Sequence, residues 1–279
     1  MKQKSILLLP IFLLFVLCQN NKNKKAEPAQ VVPSDTIPMQ YSPGYPNFNV
    51  PTLDGIVNDS LHLKVFFDTH AGGNDFSISD SLKTFFDRDS ARVQIGKIKK
   101  QMRFNFQGSN QRSFITTFGK NTIMIGWKFF ENKIIAFDFQ NQRILVYDKL
   151  PDVEGYSKTK ITQSQNFQLL ISSQVVLDGK TLEDSVIIDT GYNGYVALSS
   201  KNNKQQGIYN INSYSKKSST CPILKADTIK IGDLYAANQN MWVLFTNRSK
   251  GSLGTKTMEN FMVILDLINY DFYLKKINM

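Results

Sequence analysis

The chain has 279 residues and a formal net charge of +10, with 42% apolar and 20% charged residues, a composition typical of a globular protein and not of a disordered or collagen-like one. Two histidines, His62 and His70, and two cysteines, Cys18 and Cys221, are too few for a zinc finger, a histidine-rich metal site or an iron–sulfur cluster. A hydrolase with a histidine base would have only two imidazoles to draw on. We therefore expect chemistry that depends on carboxylates, with no metal and no cofactor.

Residues 1–18 have the pattern of a secretory signal, because two lysines precede a short apolar run, Ile6–Leu17, and polar residues follow. The run is shorter than the about twenty residues of a membrane-spanning helix. Cys18 lies where a bacterial lipoprotein carries its lipidated cysteine, although Leu17 is bulky where that pattern has a small residue. The segment predicts export to the periplasm or cell envelope. Two alternatives stay open: a lipid anchor on Cys18, or an ordinary signal, cleaved or retained.

Residues 19–45 are rich in Asn, Lys, Pro and Ser, which predicts a flexible tether. An internal repeat follows. The block Ile125–Asn141 matches Leu253–Asn269 without a gap, and Val65–His70 corresponds to Val186–Gly191 further upstream. Since the blocks have the same order in both copies, the repeat predicts three segments: an N-terminal lobe (46–148), a linker (149–165) and a C-terminal lobe (166–279).

Both copies are expected to consist mainly of strands, because β-branched and aromatic residues are abundant and turn signals recur at short intervals. Hairpin turns are predicted at Asn58-Asp59 and at Asp178-Gly179. Short helices are predicted at Ser79–Asp87, after Gly126 and after Gly254. The predicted fold class is all-β, with two similar lobes.

Asp68 and Asp189 each come directly after an apolar strand and are each followed by threonine. If the two copies pack about a pseudo-twofold axis, the two carboxyl groups meet and share one proton, because both cannot ionise at close range. One carboxylate can then activate a water while the other protonates a carbonyl oxygen. This arrangement predicts hydrolysis of an amide bond without a histidine or a covalent intermediate. Asp138 and Asp266, before turn-forming asparagines, are expected to be structural.

The C-terminal copy resembles the aspartic peptidases, and most closely their retropepsin-like bacterial members, here as two fused lobes. The likeness extends over residues 46–277 and is carried by three stretches: Val186–Leu198, Gly251–Gly254 and Val263–Asp266. It implies the closed-barrel lobes of that family. In the family the threonine hydroxyl bonds to the loop of the opposing lobe, the glycine lets the backbone turn beneath the carboxylate, and the apolar-glycine block packs behind the active-site loop. The resemblance thus implies two catalytic residues, Asp68 and Asp189, and five supporting residues: Thr69, Thr190, Gly191, Gly126 and Gly254.

The N-terminal copy departs from the family at His70, where the pattern has glycine. Its side chain crowds the turn and is expected to push the loop outward, and a protonated His70 would disturb the shared proton. Three hypotheses follow: an endopeptidase, a degenerate relative that binds peptides without cleaving them, and a β-rich adhesin in which the two carboxylates lie far apart. The expected partner is a peptide or protein substrate, and we expect a monomer. The lysine clusters predict a solvated surface near anionic lipid, with no nucleic acid bound.

Overall fold

The computed structural model describes the following residues: 30–41, 50–71, 75–78, 82, 90–105, 122–205, 223–237, 242–245 and 248–277. The described strands and helices belong to the compact unit Val32–Met279. The predicted signal (1–18), its Cys18, and nearly all of the predicted helix Ser79–Asp87 lie outside the described residues. In the described part of the chain, no helix has the length and apolar character needed to span a membrane.

The protein is an all-β structure, as the sequence predicts. Its strands are β1 (Asp35–Tyr41), β2 (Pro51–Val57), β3 (Leu61–Phe67), β4 (Asp75–Ile78), β5 (Ser90–Ile95), β6 (Ile98–Asn105), β7 (Thr122–Ile125), β8 (Ile134–Asp138), β9 (Arg143–Tyr147), β10 (Ser157–Lys160), β11 (Thr162–Gln163), β12 (Leu169–Leu177), β13 (Lys180–Ile188), β14 (Val196–Leu198), β15 (Ile223–Lys225), β16 (Thr228–Ile231), β17 (Leu234–Ala237), β18 (Trp242–Phe245), β19 (Gly251–Leu253), β20 (Phe261–Asp266) and β21 (Asp271–Lys276). The described helices are α1 (Ser200–Gln205), α2 (Thr255–Met258) and a 3₁₀ turn (Trp127–Phe130).

Both repeat copies contribute to one antiparallel sheet, in the strand order β10–β21–β20–β8–β9–β1. Its central pairing joins β8 of the first copy to β20 of the second, with Phe137 opposite Val263. The path continues from β1 through β2, β3, β7, β4 and β6 to β5, and β5 pairs back onto β2. A second sheet has the order β15–β18–β14–β19–β13–β12–β16–β17, with β11 attached to β12.

Two parallel strand pairs position the candidate site. In the first copy β3 runs parallel to β7, with Phe67 opposite Ile125, and in the second copy β13 runs parallel to β19, with Ile188 opposite Leu253. The ends of β3 and β13 are fully apolar and buried, as expected for strands covered on both faces. Phe67 stacks on Phe137 at 5.9 Å between ring centroids, which fixes this strand end in the core.

The predicted hairpins and two of the predicted short helices are confirmed. The turn between β12 and β13 has positive φ at Asp178 (48°) and Gly179 (71°), the conformation that an Asp-Gly pair adopts readily in a tight hairpin. The turn between β2 and β3 has positive φ at Asn58 and Asp59. Helical turns begin directly after Gly126 and after Gly254.

The prediction of a flexible tether over 19–45 is wrong for residues 35–41, which form β1. Strict alternation buries Ile37 and Met39, each 2% exposed, on one face of the strand. Pro38 has no N–H to donate, and it lies where the pairing of β1 passes from β9 to β2. The proline content of this segment therefore does not prevent a strand, because the proline is at a position where the strand changes partner.

The prediction of a linker over 149–165 also needs correction. Residues 157–160 form β10, which pairs with β21, and residues 162–163 form β11, which pairs with β12. Lys158 and Lys160 both form ion pairs with the buried carboxylate of Asp271, at 2.7 Å each. The segment has a polar composition because β10 is an edge strand, and lysines are typical of sheet edges.

Candidate active site

The two candidate catalytic aspartates occupy equivalent backbone positions. The N–H of Asp68 donates to the carbonyl of Ile125 over 3.0 Å, and the N–H of Asp189 donates to the carbonyl of Leu253 over 3.0 Å. Each aspartate therefore continues the pairing of a buried strand with its parallel neighbour by one residue. We call residues 68–70 and 189–191 the two dyad loops.

Thr69 and Thr190 tie the dyad loops together, and we call this pair the threonine lock. The Thr69 hydroxyl donates to the carbonyl of Ile188 over 2.7 Å and accepts the N–H of Thr190 over 2.9 Å. Reciprocally, the Thr190 hydroxyl donates to the carbonyl of Phe67 over 2.7 Å and accepts the N–H of Thr69 over 2.9 Å. Both threonines are fully buried, so four hydrogen bonds hold the two loops face to face without access to water.

The threonine lock brings the Asp68 carboxyl group against the opposite dyad loop. A Cβ added at Gly191 would lie only 2.6 Å from Cγ of Asp68, so the glycine backbone packs directly on this carboxyl group. Burial and the negative charge of Asp189 raise the pKa of Asp68 to about 7, against the lowering effect of the His70 charge and of the N–H groups of His70 and Ala71. Asp68 and Asp189 thus interact electrostatically as one site.

Asp189 has two side-chain hydrogen-bond partners, both on Oδ2. His70 Nδ1 lies 3.1 Å from this oxygen, and the Ser252 hydroxyl donates to it over 3.1 Å. Asp189 is 3% exposed. Within the described part of the chain, both side-chain contacts of this carboxyl group therefore fall on the same oxygen.

His70 bridges the two dyad loops instead of pushing its loop outward. Its N–H donates to Asp68 Oδ1 over 2.8 Å while its ring reaches Asp189. The other ring nitrogen, Nε2, lies 2.8 Å from Nε2 of Gln168. The bond to Asp189 raises the pKa of His70 above its ordinary value, whereas burial and the charge of Arg248 lower it. The threonine lock stays intact because the imidazole is accommodated beside Asp189.

Gln168 is held by a tight turn, Ser164–Gln168, that precedes β12. The Ser164 hydroxyl lies 3.4 Å from Oε1 of Gln168 and accepts the Gln168 N–H. Trp127 of the first copy fastens the turn by donating Nε1–H to the carbonyl of Phe167 over 2.7 Å, and Lys128 Nζ lies 3.7 Å from the centroid of the Phe167 ring. The turn is therefore attached to the N-terminal copy although it belongs to the chain of the C-terminal copy.

Gly126 and Gly254 lie behind the dyad loops. A Cβ at Gly126 would overlap the carbonyl oxygen of Ala71, and one at Gly254 would overlap that of Gly194. The N–H of Gly254 donates to the carbonyl of Tyr195 over 2.7 Å. Only glycine allows the backbone behind each loop to approach this closely.

Asp138 and Asp266 lie away from the dyad loops and organise turns, as expected. Asp138 accepts the N–H and side-chain amide of Asn141 and Nε of Arg143. Burial raises the pKa of Asp138, but these bonds outweigh it and hold the pKa below its ordinary value. Asp266 accepts the N–H and side-chain amide of Asn269 in the equivalent turn.

The structure thus brings together Asp68, Thr69, His70, Asp189, Thr190 and Gly191 of the predicted site residues. Sequence reasoning missed two that contact the same groups, Ser252 and Gln168. Ser252 lies inside the Gly251–Gly254 block and could have been noticed as its one hydroxyl. Gln168 carries no signal, because its role depends on a turn, Ser164–Gln168, that spans the predicted boundary between the linker and the C-terminal lobe.

Comparison of the chain with protein-family models and with curated proteins finds no match. Within the described ranges, no three His, Cys, Asp or Glu side chains are grouped as ligands of a metal ion.

Proposed function

We propose that this protein is an exported aspartic-type endopeptidase in which Asp68 and Asp189 activate a water molecule. The observation that carries the proposal is the threonine lock, whose four buried hydrogen bonds hold two aspartate-bearing strand ends against each other. An adhesin needs no such arrangement, and two turn-capping aspartates would lie apart. The raised pKa of Asp68 supports a proton shared by the two carboxyl groups.

The proposed reaction uses one ionised and one protonated carboxyl group. A water bound between Asp68 and Asp189 loses a proton to the carboxylate and attacks the peptide carbonyl carbon. The protonated carboxyl group gives its proton to the carbonyl oxygen, so that a neutral diol forms. The carboxyl group that took the proton of water then gives it to the amide nitrogen, and the C–N bond breaks. A hydroxyl of the diol returns its proton to the other carboxylate, so an acid and an amine are released and both carboxyl groups regain their starting states.

The two-lobed, closed-barrel form of the aspartic peptidases is part of the proposal. The two copies repeat the parallel strand pair, the aspartate after it, and a glycine followed by a helical turn. In the N-terminal copy, the pairings β2–β3–β7–β4–β6–β5 return to β2, which supports a closed sheet there. We further propose a monomer in the periplasm or cell envelope, attached through lipid on Cys18 or released by cleavage of an ordinary signal, that takes peptide or protein substrates.

A second candidate function is peptide binding without cleavage, and one observation favours it. His70 Nδ1 lies 3.1 Å from the oxygen of Asp189 that also accepts from Ser252. An imidazole in this position competes with the water that the reaction needs. Such a degenerate relative would still bind peptides but would not hydrolyse them.

The two candidates are separated by incubating the full chain with an unfolded protein between about pH 3 and 7, where carboxyl groups titrate. A peptide mimic with a hydroxyl in place of the scissile amide serves as inhibitor. The endopeptidase is expected to cleave, to be inhibited, and to lose activity in Asp189→Asn but not in Asp178→Asn, a matched change in an exposed turn. Cleavage that survives Asp189→Asn contradicts the dyad. Cleavage gained by His70→Gly from an inert parent supports the binding protein.

A further inference from the structure

The dyad loops differ in what they present to the opposite aspartate. Gly191 offers only its backbone to Asp68, whereas His70 offers a ring nitrogen to Asp189. Two carboxyl groups that share a proton in symmetric surroundings hold it equally. Here the surroundings are asymmetric, so one of the two carboxyl groups binds the proton more tightly than the other.

A chain of hydrogen-bond contacts indicates which ring nitrogen of His70 carries hydrogen. The Ser164 hydroxyl lies 3.4 Å from Oε1 of Gln168, and the Gln168 amide nitrogen lies 2.8 Å from His70 Nε2. An amide nitrogen has hydrogens only to donate, so Nε2 of a neutral His70 is the acceptor. The hydrogen of the neutral ring is then on Nδ1, aimed at Oδ2 of Asp189 over 3.1 Å.

We propose that Gln168 and His70 are positioning residues that make Asp189 the ionised member of the pair and Asp68 the protonated one. In the mechanism of the proposed function, on which this assignment rests for its catalytic meaning, Asp189 would be the base towards water and Asp68 the acid towards the carbonyl oxygen. Ser252 acts in the same direction, because it also donates to Asp189 Oδ2.

The charges around His70 agree with this assignment. Asp189 and Asp68 act on it from the ends of β13 and β3, and Arg248, which lies before β19, acts on it through its charge. The direct bond to Asp189 is the largest influence on the pKa of His70 and raises it, while Arg248 lowers it. Among the described residues, the donors to the Asp68 carboxyl group are backbone N–H groups, and its pKa, raised to about 7 by burial and by the charge of Asp189, is that of the carboxyl group that keeps the proton.

The test is nitrogen NMR of the full chain labelled with ¹⁵N-histidine, which is simple to assign because the chain has two histidines. His62 lies exposed on β3 and serves as the internal reference, identified by its loss in His62→Gln. We expect neutral His70 to carry hydrogen on Nδ1. In Gln168→Met, which keeps the length and removes the amide, we expect a mixture of tautomers. We expect no change in the control Gln174→Met, on the strand β12 that follows Gln168. Hydrogen on Nε2 of His70 in the parent would overturn the proposal.

A second measurement follows the aspartate carboxyl carbons by ¹³C NMR, assigned by signals lost in Asp68→Asn and Asp189→Asn. At about pH 5, between the ordinary range of carboxyl groups and neutrality, we expect an acid signal from Asp68 and a carboxylate signal from Asp189. The titration midpoint of His70 should fall by about one pH unit in Asp189→Asn and by less in Asp68→Asn. The reverse order, or equal effects, would overturn the assignment.

Neither measurement depends on cleavage, so the two proposals fail separately. If the chain cleaves no peptide but gives the expected signals, the proton assignment holds and the proposal of an endopeptidase is wrong. A chain that cleaves peptides while His70 carries hydrogen on Nε2 keeps the endopeptidase and loses the positioning roles of His70 and Gln168.

Discussion

The two dyad loops are alike in their backbone and different in one side chain. Thr69 and Thr190 make the same two bonds, of equal length, across the interface. The next residue is His70 in one loop and Gly191 in the other, and each faces the opposite aspartate. The threonine lock therefore determines how the loops meet, whereas the residue after each threonine determines the electrostatic surroundings of the opposite carboxyl group.

The largest effect is expected from removing either carboxylate while keeping its shape. In Asp189→Asn the base is lost, and cleavage should fall roughly 10²–10⁴-fold, as measured by the rate of peptide hydrolysis. Asp68→Asn should lose activity to a similar extent, because an amide cannot donate the required proton. Asp178→Asn is the control. A variant that lost one carboxylate and kept its rate would break the pairing of the two loops.

Each hydroxyl of the threonine lock should contribute more to the free energy of unfolding than an exposed hydroxyl on the same sheet. Thr190→Val keeps the shape and deletes both bonds of this hydroxyl, the one to the carbonyl of Phe67 and the one from the buried N–H of Thr69, which loses its acceptor. We expect a loss of about 2–4 kcal/mol in unfolding free energy from urea titration. Thr69→Val should match it, since the lock is reciprocal. Thr181→Val, exposed on β13, should change stability by less than about 0.5 kcal/mol. Equal losses in all three variants would contradict the lock.

The close approach of Gly191 to the Asp68 carboxyl group can be tested by adding one methyl group. Gly191→Ala would place Cβ 2.6 Å from Cγ of Asp68 and force the carboxyl group to move. We expect a loss of about 1–3 kcal/mol, the usual cost of overpacking, together with reduced cleavage. The mirror variant His70→Ala keeps a Cβ that is already accommodated and should not show this penalty. If Gly191→Ala is as stable as the parent, the loops do not meet as described.

The smallest effect concerns the pH dependence of stability. Because the pKa of Asp68 is raised from 3.8 to about 7, the folded protein holds a proton that the unfolded chain releases. The unfolding free energy should therefore fall as pH rises from about 4 to about 7, by at least about 1 kcal/mol. The raised pKa of His70 acts in the same direction at the upper end. Asp68→Asn should flatten the fall over the lower part of this range in urea titrations, and an unchanged slope would contradict the burial of Asp68.

Much of the local structure could be predicted from the sequence because it depends on short-range chemistry. The hairpin at Asp178-Gly179 and the helical turns after Gly126 and Gly254 follow from residue types at fixed positions. The strand β1 could not be predicted, because Pro38 lies between Ile37 and Met39 and cannot donate a hydrogen bond. A proline fits at this position because the strand changes partner there, which the sequence does not reveal.

The site itself was predictable where the two copies repeat each other and not where they differ. The repeat pointed to Asp68 and Asp189, and the resemblance supplied the role of the threonines. The orientation of His70 depends on Gln168, which lies in the other half of the chain and is positioned through Trp127. Contacts of this kind require the tertiary structure, because no local pattern connects the residues.

The measurement that tests the central claim most directly is a crystal structure of the full chain with the hydroxyl-bearing peptide mimic bound. We expect the hydroxyl to lie within hydrogen-bond distance of the carboxyl groups of both Asp68 and Asp189, with the reciprocal bonds of Thr69 and Thr190 beneath them. A mimic bound elsewhere, or carboxyl groups too far apart to contact one hydroxyl, would contradict it.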